Sequence, residues 1–122
     1  MWDCGIRKEV RMRKLVLIRS DRMGQGEEEI GHIMIKKFIN GLVGLDRKPE
    51  KIVFYGLGVK LTAKDSPVMD ALLSLENMGV EIVSCATCVN YYGLTDIIQV
   101  GRIGNMPELL KSLMETEDTI AI

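Results

Sequence analysis

Leu15-Val16-Leu17-Ile18-Arg19-Ser20-Asp21-Arg22-Met23-Gly24-Gln25-Gly26 decides the fold class. Its first half is an aliphatic, partly β-branched run, the pattern of a buried strand. Its second half is made of turn residues that break that pattern. A helical period follows at once. Ile30, Ile33, Met34, Phe38, Ile39, Leu42 and Val43 recur at i, i+3, i+4 spacing. Glu27, Glu28 and Glu29 occupy the first turn, where negative charge suits the helix dipole, and Gly44 is placed to end the helix. A strand, a glycine-bearing loop and an amphipathic helix, in that order, open a βαβ unit.

The same alternation continues outward. Lys51 to Tyr55 reads as a second strand, followed by Gly56-Leu57-Gly58. Ser66-Pro67 signals a helix start, with Val68, Leu72, Leu75 and Met78 as its apolar stripe and Gly79 as its stop. Val80 to Ser84 is a third strand that delivers the chain into Cys85. Residues 89 to 95 read as a short helix or turn. A fourth strand falls at Ile97–Val100 or at Val100–Ile103. Asn105 caps a helix through Met106-Pro107 to about Thr116, and Thr119–Ile122 supplies a last strand. The expected fold is α/β: a three-layer sandwich with a mostly parallel, roughly five-stranded sheet, flavodoxin-like in its alternation. Residues 1–13 read as a tail and 14–122 as one domain.

Composition narrows the function classes. The 122 residues are 47% hydrophobic and 27% charged, with a net charge of −1. That is an ordinary globular balance, with no long-range attraction for nucleic acid or an anionic membrane. Arg7, Lys8, Arg11, Arg13 and Lys14 cluster before the first strand and read as a solvated lead-in, with docking of an acidic partner as the sharper alternative; the lack of interleaved aromatics argues against a nucleic-acid surface. No apolar run has signal-peptide or membrane-span length, and a cytoplasmic location is expected. Three cysteines do not make a disulfide framework, so they read as thiols.

Ligand sites in sheets of this kind form beyond the carboxyl ends of the strands. Gly24 and Gly26, Gly56 and Gly58, and Cys85 all fall there. Cys85-Ala86-Thr87-Cys88 is the motif that bears chemistry. Thiolates are the reactive form, and a Cys-x-x-C pair supports dithiol–disulfide exchange or the passing of a terminal sulfur. A structural zinc site wants four ligands, and only Cys4 and His32 remain to complete one. No metal and no cofactor are therefore expected. His32 sits mid-helix among apolar residues and reads as structural, which leaves no Ser/His/Asp triad. In thioredoxin-like chains the motif follows the first strand of its unit, whereas here it follows the third. The Met23-Gly24-Gln25-Gly26 loop lacks the Gly-Lys-Ser/Thr of a P-loop. Asp21 reads as a turn residue at the edge of the site.

Several blocks resemble a known family. The opening Leu15 to Gly24, Phe54-Tyr55-Gly56-Leu57-Gly58-Val59-Lys60-Leu61-Thr62, Leu75 to Ile82, Ser84-Cys85-Ala86-Thr87-Cys88-Val89-Asn90-Tyr91-Tyr92-Gly93-Leu94 and Gly101 to Met106 are similar to DsrE/DsrF-like proteins, above all to the C-terminal domain of the YedF group. The resemblance covers about residues 14 to 122. It implies a homo- or hetero-oligomer, a homo-oligomer being expected here, and a sulfur relay through a cysteine persulfide, with an association to selenium metabolism. It places the reactive cysteine eight residues before a glycine, which selects Cys85 against Gly93. Asp21, Met23, Gly24, Gly26, Gly56, Gly58, Asn90, Tyr91 and Gly93 are then expected to line the site, with Cys88 as helper. YedF-type chains also carry a TusA-like carrier domain with a Cys-Pro-x-Pro motif. The leader here has Cys4 without that motif, so a separate TusA-like partner is expected. Ala86 replaces a glycine common between the two cysteines. Two other readings stay open: a non-catalytic oligomeric binding or regulatory module, and a Cys85–Cys88 redox switch.

Overall fold

The computed structural model describes residues 14–122. The 1–13 tail, with Cys4 and most of the basic cluster, lies outside the described residues. Five strands alternate with helices: β1 (Lys14–Ile18), α1 (Glu28–Val43), β2 (Lys51–Phe54), a 3-10 segment (Gly56–Thr62), α2 (Met69–Asn77), β3 (Glu81–Cys85), α3 (Ala86–Tyr91), β4 (Arg102–Gly104), α4 (Met106–Glu115) and β5 (Asp118–Ala121). The strand order is β4-β3-β2-β1-β5, and every pair is parallel.

Topology follows from short right-handed crossovers. The chain steps in one direction from β1 to β4, so α1 and α2 lie side by side on one face. It then returns past three strands to reach β5 beside β1, which puts α4 on the other face. Side-chain alternation along the strands agrees. Lys51 and Glu81, paired in register, face α4, where Lys51 Nζ donates to Ser112 Oγ at 2.6 Å. Ser84, of opposite parity on β3, meets Thr62 of the 3-10 segment. Ile18, Ile52, Phe54, Ile82, Ile35, Ile39, Leu72 and Leu75 are among the side chains closed into the core.

The elements depart from the pattern reading in four places. In α1 the inward face is Gly31, Ile35, Ile39 and Leu42, while Ile30, Ile33 and Met34 are exposed. Apolar residues occur on both sides of this helix, so their period alone does not choose the buried side. Ser66-Pro67 forms a turn before α2 rather than its first turn. Ser66 Oγ accepts the Val68 N–H at 3.2 Å, and the helix begins at Met69. Met78, read as part of the α2 stripe, is 52% exposed. The fourth strand is shorter and later than either proposed span, and Ile98 instead makes an isolated antiparallel bridge with Ala63. The Asn105 cap forms as read, its Oδ1 accepting the Glu108 N–H at 3.1 Å.

Two polar clusters stabilise the sheet. Thr62 and Ser84 are wholly buried, with their hydroxyls 2.8 Å apart, and Thr62 also donates to the Val59 carbonyl at 2.8 Å. Thr62→Val strands the Ser84 hydroxyl and is expected to cost about 2 kcal/mol. Adding Ser84→Ala should recover part of that loss in denaturant titrations. On the α4 side, Arg102 bridges Glu81 and Glu108, and Lys51 Nζ stands 3.5 Å from Glu81. Burial raises the Glu81 pKa, but the Arg102 hydrogen bond and both nearby cations overcome it and hold the carboxyl below its usual range. The Arg102 hydrogen bond does the same for Glu108. Both groups are depressed in the folded state, so their stabilisation is complete above the unfolded carboxylate pKa of ~4.3 and fades as pH falls through the folded values. Wild type should therefore lose more of its denaturant midpoint between neutral pH and acid than Glu81→Gln/Glu108→Gln does. Equal acid sensitivity would contradict this. Salt should weaken the difference, because both carboxylates are partly solvated.

Candidate functional site

The carboxyl ends of β1, β2 and β3 meet at a pair of thiols. β3 ends on Cys85 in extended geometry, and α3 starts at the next residue. Cys85 is 4% exposed and packs with the core. One turn on, Cys88 is half-buried, and both thiols are free. The neighbouring strand supplies a donor. Gly56 follows β2, and its N–H donates to Cys88 Sγ at 3.1 Å. Gly56 has φ +60°, and a Cβ there would stand 2.7 Å from the Arg19 carbonyl oxygen. Only glycine brings that N–H to the thiol. Two residues on, a Cβ on Gly58 would stand 2.5 Å from the Ile18 carbonyl oxygen, so the 3-10 segment lies directly on the end of β1.

Electrostatics acts on the outer thiol. Burial pushes the Cys88 thiol up, the Gly56 N–H opposes this, and the adjacent Cys85 thiol adds to the rise. The net direction is above the ordinary thiol range, so Cys88 rests protonated at neutral pH.

A cavity of about 430 Å³ opens on the α1 side of the same sheet edge. Its floor is apolar, from Ile35, Leu61, Ala63 and Leu94. Its rim is charged, from Asp21, His32, Lys36, Lys60, Lys64 and Asp65. Asp21 and His32, read as a turn residue and a structural residue, face each other here, with His32 Nε2 3.7 Å from Asp21 Oδ2. The 3-10 segment joins the two features. It begins at the Gly56 N–H on Cys88 and ends with Lys60 and Leu61 at the cavity. Lys60 Nζ also lies 5.5 Å from the centre of the Tyr92 ring, and the Tyr92 N–H bonds to the Cys88 carbonyl.

The other expected lining residues fall differently. Met23 is tied to α1 through its N–H on the Gly31 carbonyl at 3.0 Å. Gly24, with φ +83°, and Gly26 are exposed, and neither hydrogen-bonds to a thiol among the described residues. Asn90 and Gly93 are exposed, and Tyr91 is 80% exposed. Tyr92 and Leu94 turn inward in their place. The pattern reading took His32 as structural and did not single out Lys36, and both line the cavity. They stand one turn apart on α1, flanking the buried Ile35, and that spacing was the available signal.

Solved structures share the fold. The ychN protein from E. coli matches with a TM-score of 0.62 at 16% identity, over 91% of this chain and 100% of that one. MTH1491 from Methanobacterium thermoautotrophicum, a protein of unknown function, matches with a TM-score of 0.64 at 18% identity, over 92% and 98%. BT1422 from Bacteroides thetaiotaomicron, also of unknown function, matches with a TM-score of 0.60 at 19% identity, over 90% and 95%. The chain has their fold. This is the DsrE/ychN-type α/β sandwich, and at these identities the likeness extends to fold alone. No protein-family model matches the sequence, and no curated protein matches it. Among the described residues, no helix is long and apolar enough to cross a membrane.

Proposed function

We propose that the protein relays sulfane sulfur as a persulfide on Cys85. The observation that carries this reading is the thiol pair at the end of β3, with the Gly56 N–H aimed at the Cys88 sulfur. In the loading step the Cys85 thiolate attacks the outer sulfur of a donor persulfide. The donor S–S bond breaks, its thiolate leaves, and Cys85 holds the extra sulfur. An acceptor thiolate then attacks that terminal sulfur and releases the Cys85 thiolate, with no net oxidation. Cys85 is almost closed to solvent, and Cys88 is the outer of the two sulfurs. Cys88 thus guards the approach, and its thiolate can attack the Cys85 Sγ of the persulfide, closing a Cys85–Cys88 disulfide and releasing the outer sulfur as hydrosulfide. A TusA-like carrier as donor or acceptor, self-association and a link to selenium belong to the same reading. The side chains of Met106, Leu110 and Met114, exposed along one side of α4, support self-association.

A Cys85–Cys88 redox switch is the second reading, favoured by the Cys-x-x-C spacing, which sets two free thiols one turn apart at the start of α3. Intact mass spectrometry after incubation with a cysteine persulfide donor separates them. The relay predicts the added mass of one sulfur, located on Cys85 by peptide mapping and removed by reductant. The switch predicts loss of two hydrogens from the wild type and no added sulfur on Cys88→Ser, where no disulfide can close between the pair; a Cys88→Ser variant that takes up no sulfur would overturn the relay.

A further inference from the structure

We infer that the cavity between α1 and the loop from Lys60 to Pro67 binds a small organic acid: an apolar body carrying one carboxylate, sulfonate or phosphate group. Its volume of about 430 Å³ lies in the range of small-molecule sites. Ile35, Leu61 and Ala63 are each 2% exposed or less and give the body an apolar floor. The lysine charges on the rim are not neutralised by a rim carboxylate. Lys36, Lys60 and Lys64 form no ion pair among the described residues. Asp21 is already engaged, 3.7 Å from His32 and 3.9 Å from Arg22. Asp65 is the remaining acid against three ammonium groups that have no ion-pair partner among the described residues, Lys60 resting only against the neutral Tyr92 ring, around an apolar floor. An anion with an apolar body satisfies both halves of such a site, whereas a neutral or cationic ligand satisfies the floor alone. The site does not depend on the sulfur reading, because no thiol lines the cavity.

Fluorescence titration with anilinonaphthalenesulfonate, an aromatic sulfonate, tests the inference on the folded protein. Saturable binding is expected. Lys60→Glu/Lys64→Glu should weaken it at least about tenfold. Arg47→Glu/Lys111→Glu makes the same change in net charge at exposed positions that do not line the cavity, and should leave binding within about twofold. The uncharged counterpart, phenylnaphthylamine, should bind the wild type and the Lys60/Lys64 variant alike. Lys60→Gln/Lys64→Gln should show a smaller loss of the same sign. Absence of saturable binding to the wild type, equal losses in both charge-reversed variants, or an equal loss for the uncharged probe would each overturn the assignment.

Discussion

Gly58→Ala is expected to lower stability by about 3 kcal/mol, a fall in Tm of roughly 12 °C for a chain of this size. The cause is steric. The new methyl would lie 2.5 Å from the Ile18 carbonyl oxygen, which already accepts the Tyr55 N–H at 3.0 Å. Displacing that carbonyl loosens the end of β1 and lifts the 3-10 segment that carries Gly56. The Gly56 N–H then leaves Cys88, so alkylation of Cys88 should change together with stability. Gly41→Ala is the control. Its methyl would meet nothing within 4 Å on α1, and it should stabilise by about 0.5 kcal/mol. Equal melting of both variants would refute the packing argument.

Cys85→Ser is expected to abolish stable sulfur loading, while Cys88→Ser retains it. In Cys88→Ser the persulfide should also persist longer, because no neighbouring thiol remains to displace it as a disulfide. Time courses of the added sulfur mass measure both effects. Loading that survives Cys85→Ser and vanishes with Cys88→Ser would move the carrier role to the outer sulfur. Loss in both variants would indicate that the pair acts as a unit. Serine nearly matches cysteine in size, so the packing of Cys85 against the core should survive the exchange.

The sheet was legible because β1, β2 and β3 are aliphatic runs, the first two followed by turn residues and the third running straight into α3. β4 was not. Arg102-Ile103-Gly104 is an edge strand with only Gly104 buried, too short for a period to show. The inward side of α1 was misread because tertiary contact, and not its own pattern, selects Ile35 over Met34. At the site, the thiol pair was visible from its place after a strand. The Gly56–Cys88 bond required knowing that β2 and β3 lie side by side. The cavity was invisible in sequence, since Asp21, His32, Lys60 and Leu94 come from four separate segments.

The strand order has a consequence for synthesis. β1 to β4 stack in the order in which they emerge, so β3 has both of its neighbours, β2 and β4, as soon as residue 104 is made. β5 must travel back, and its Lys14–Asp118 contact spans 104 residues. Until then the flank of β1 is a bare edge able to pair with another nascent chain. Ribosomes that stall between α4 and Asp118 would release a chain whose thiols are already seated but whose sheet is open on one side. Such truncated chains should aggregate through β1 with Cys85 and Cys88 already at the end of β3.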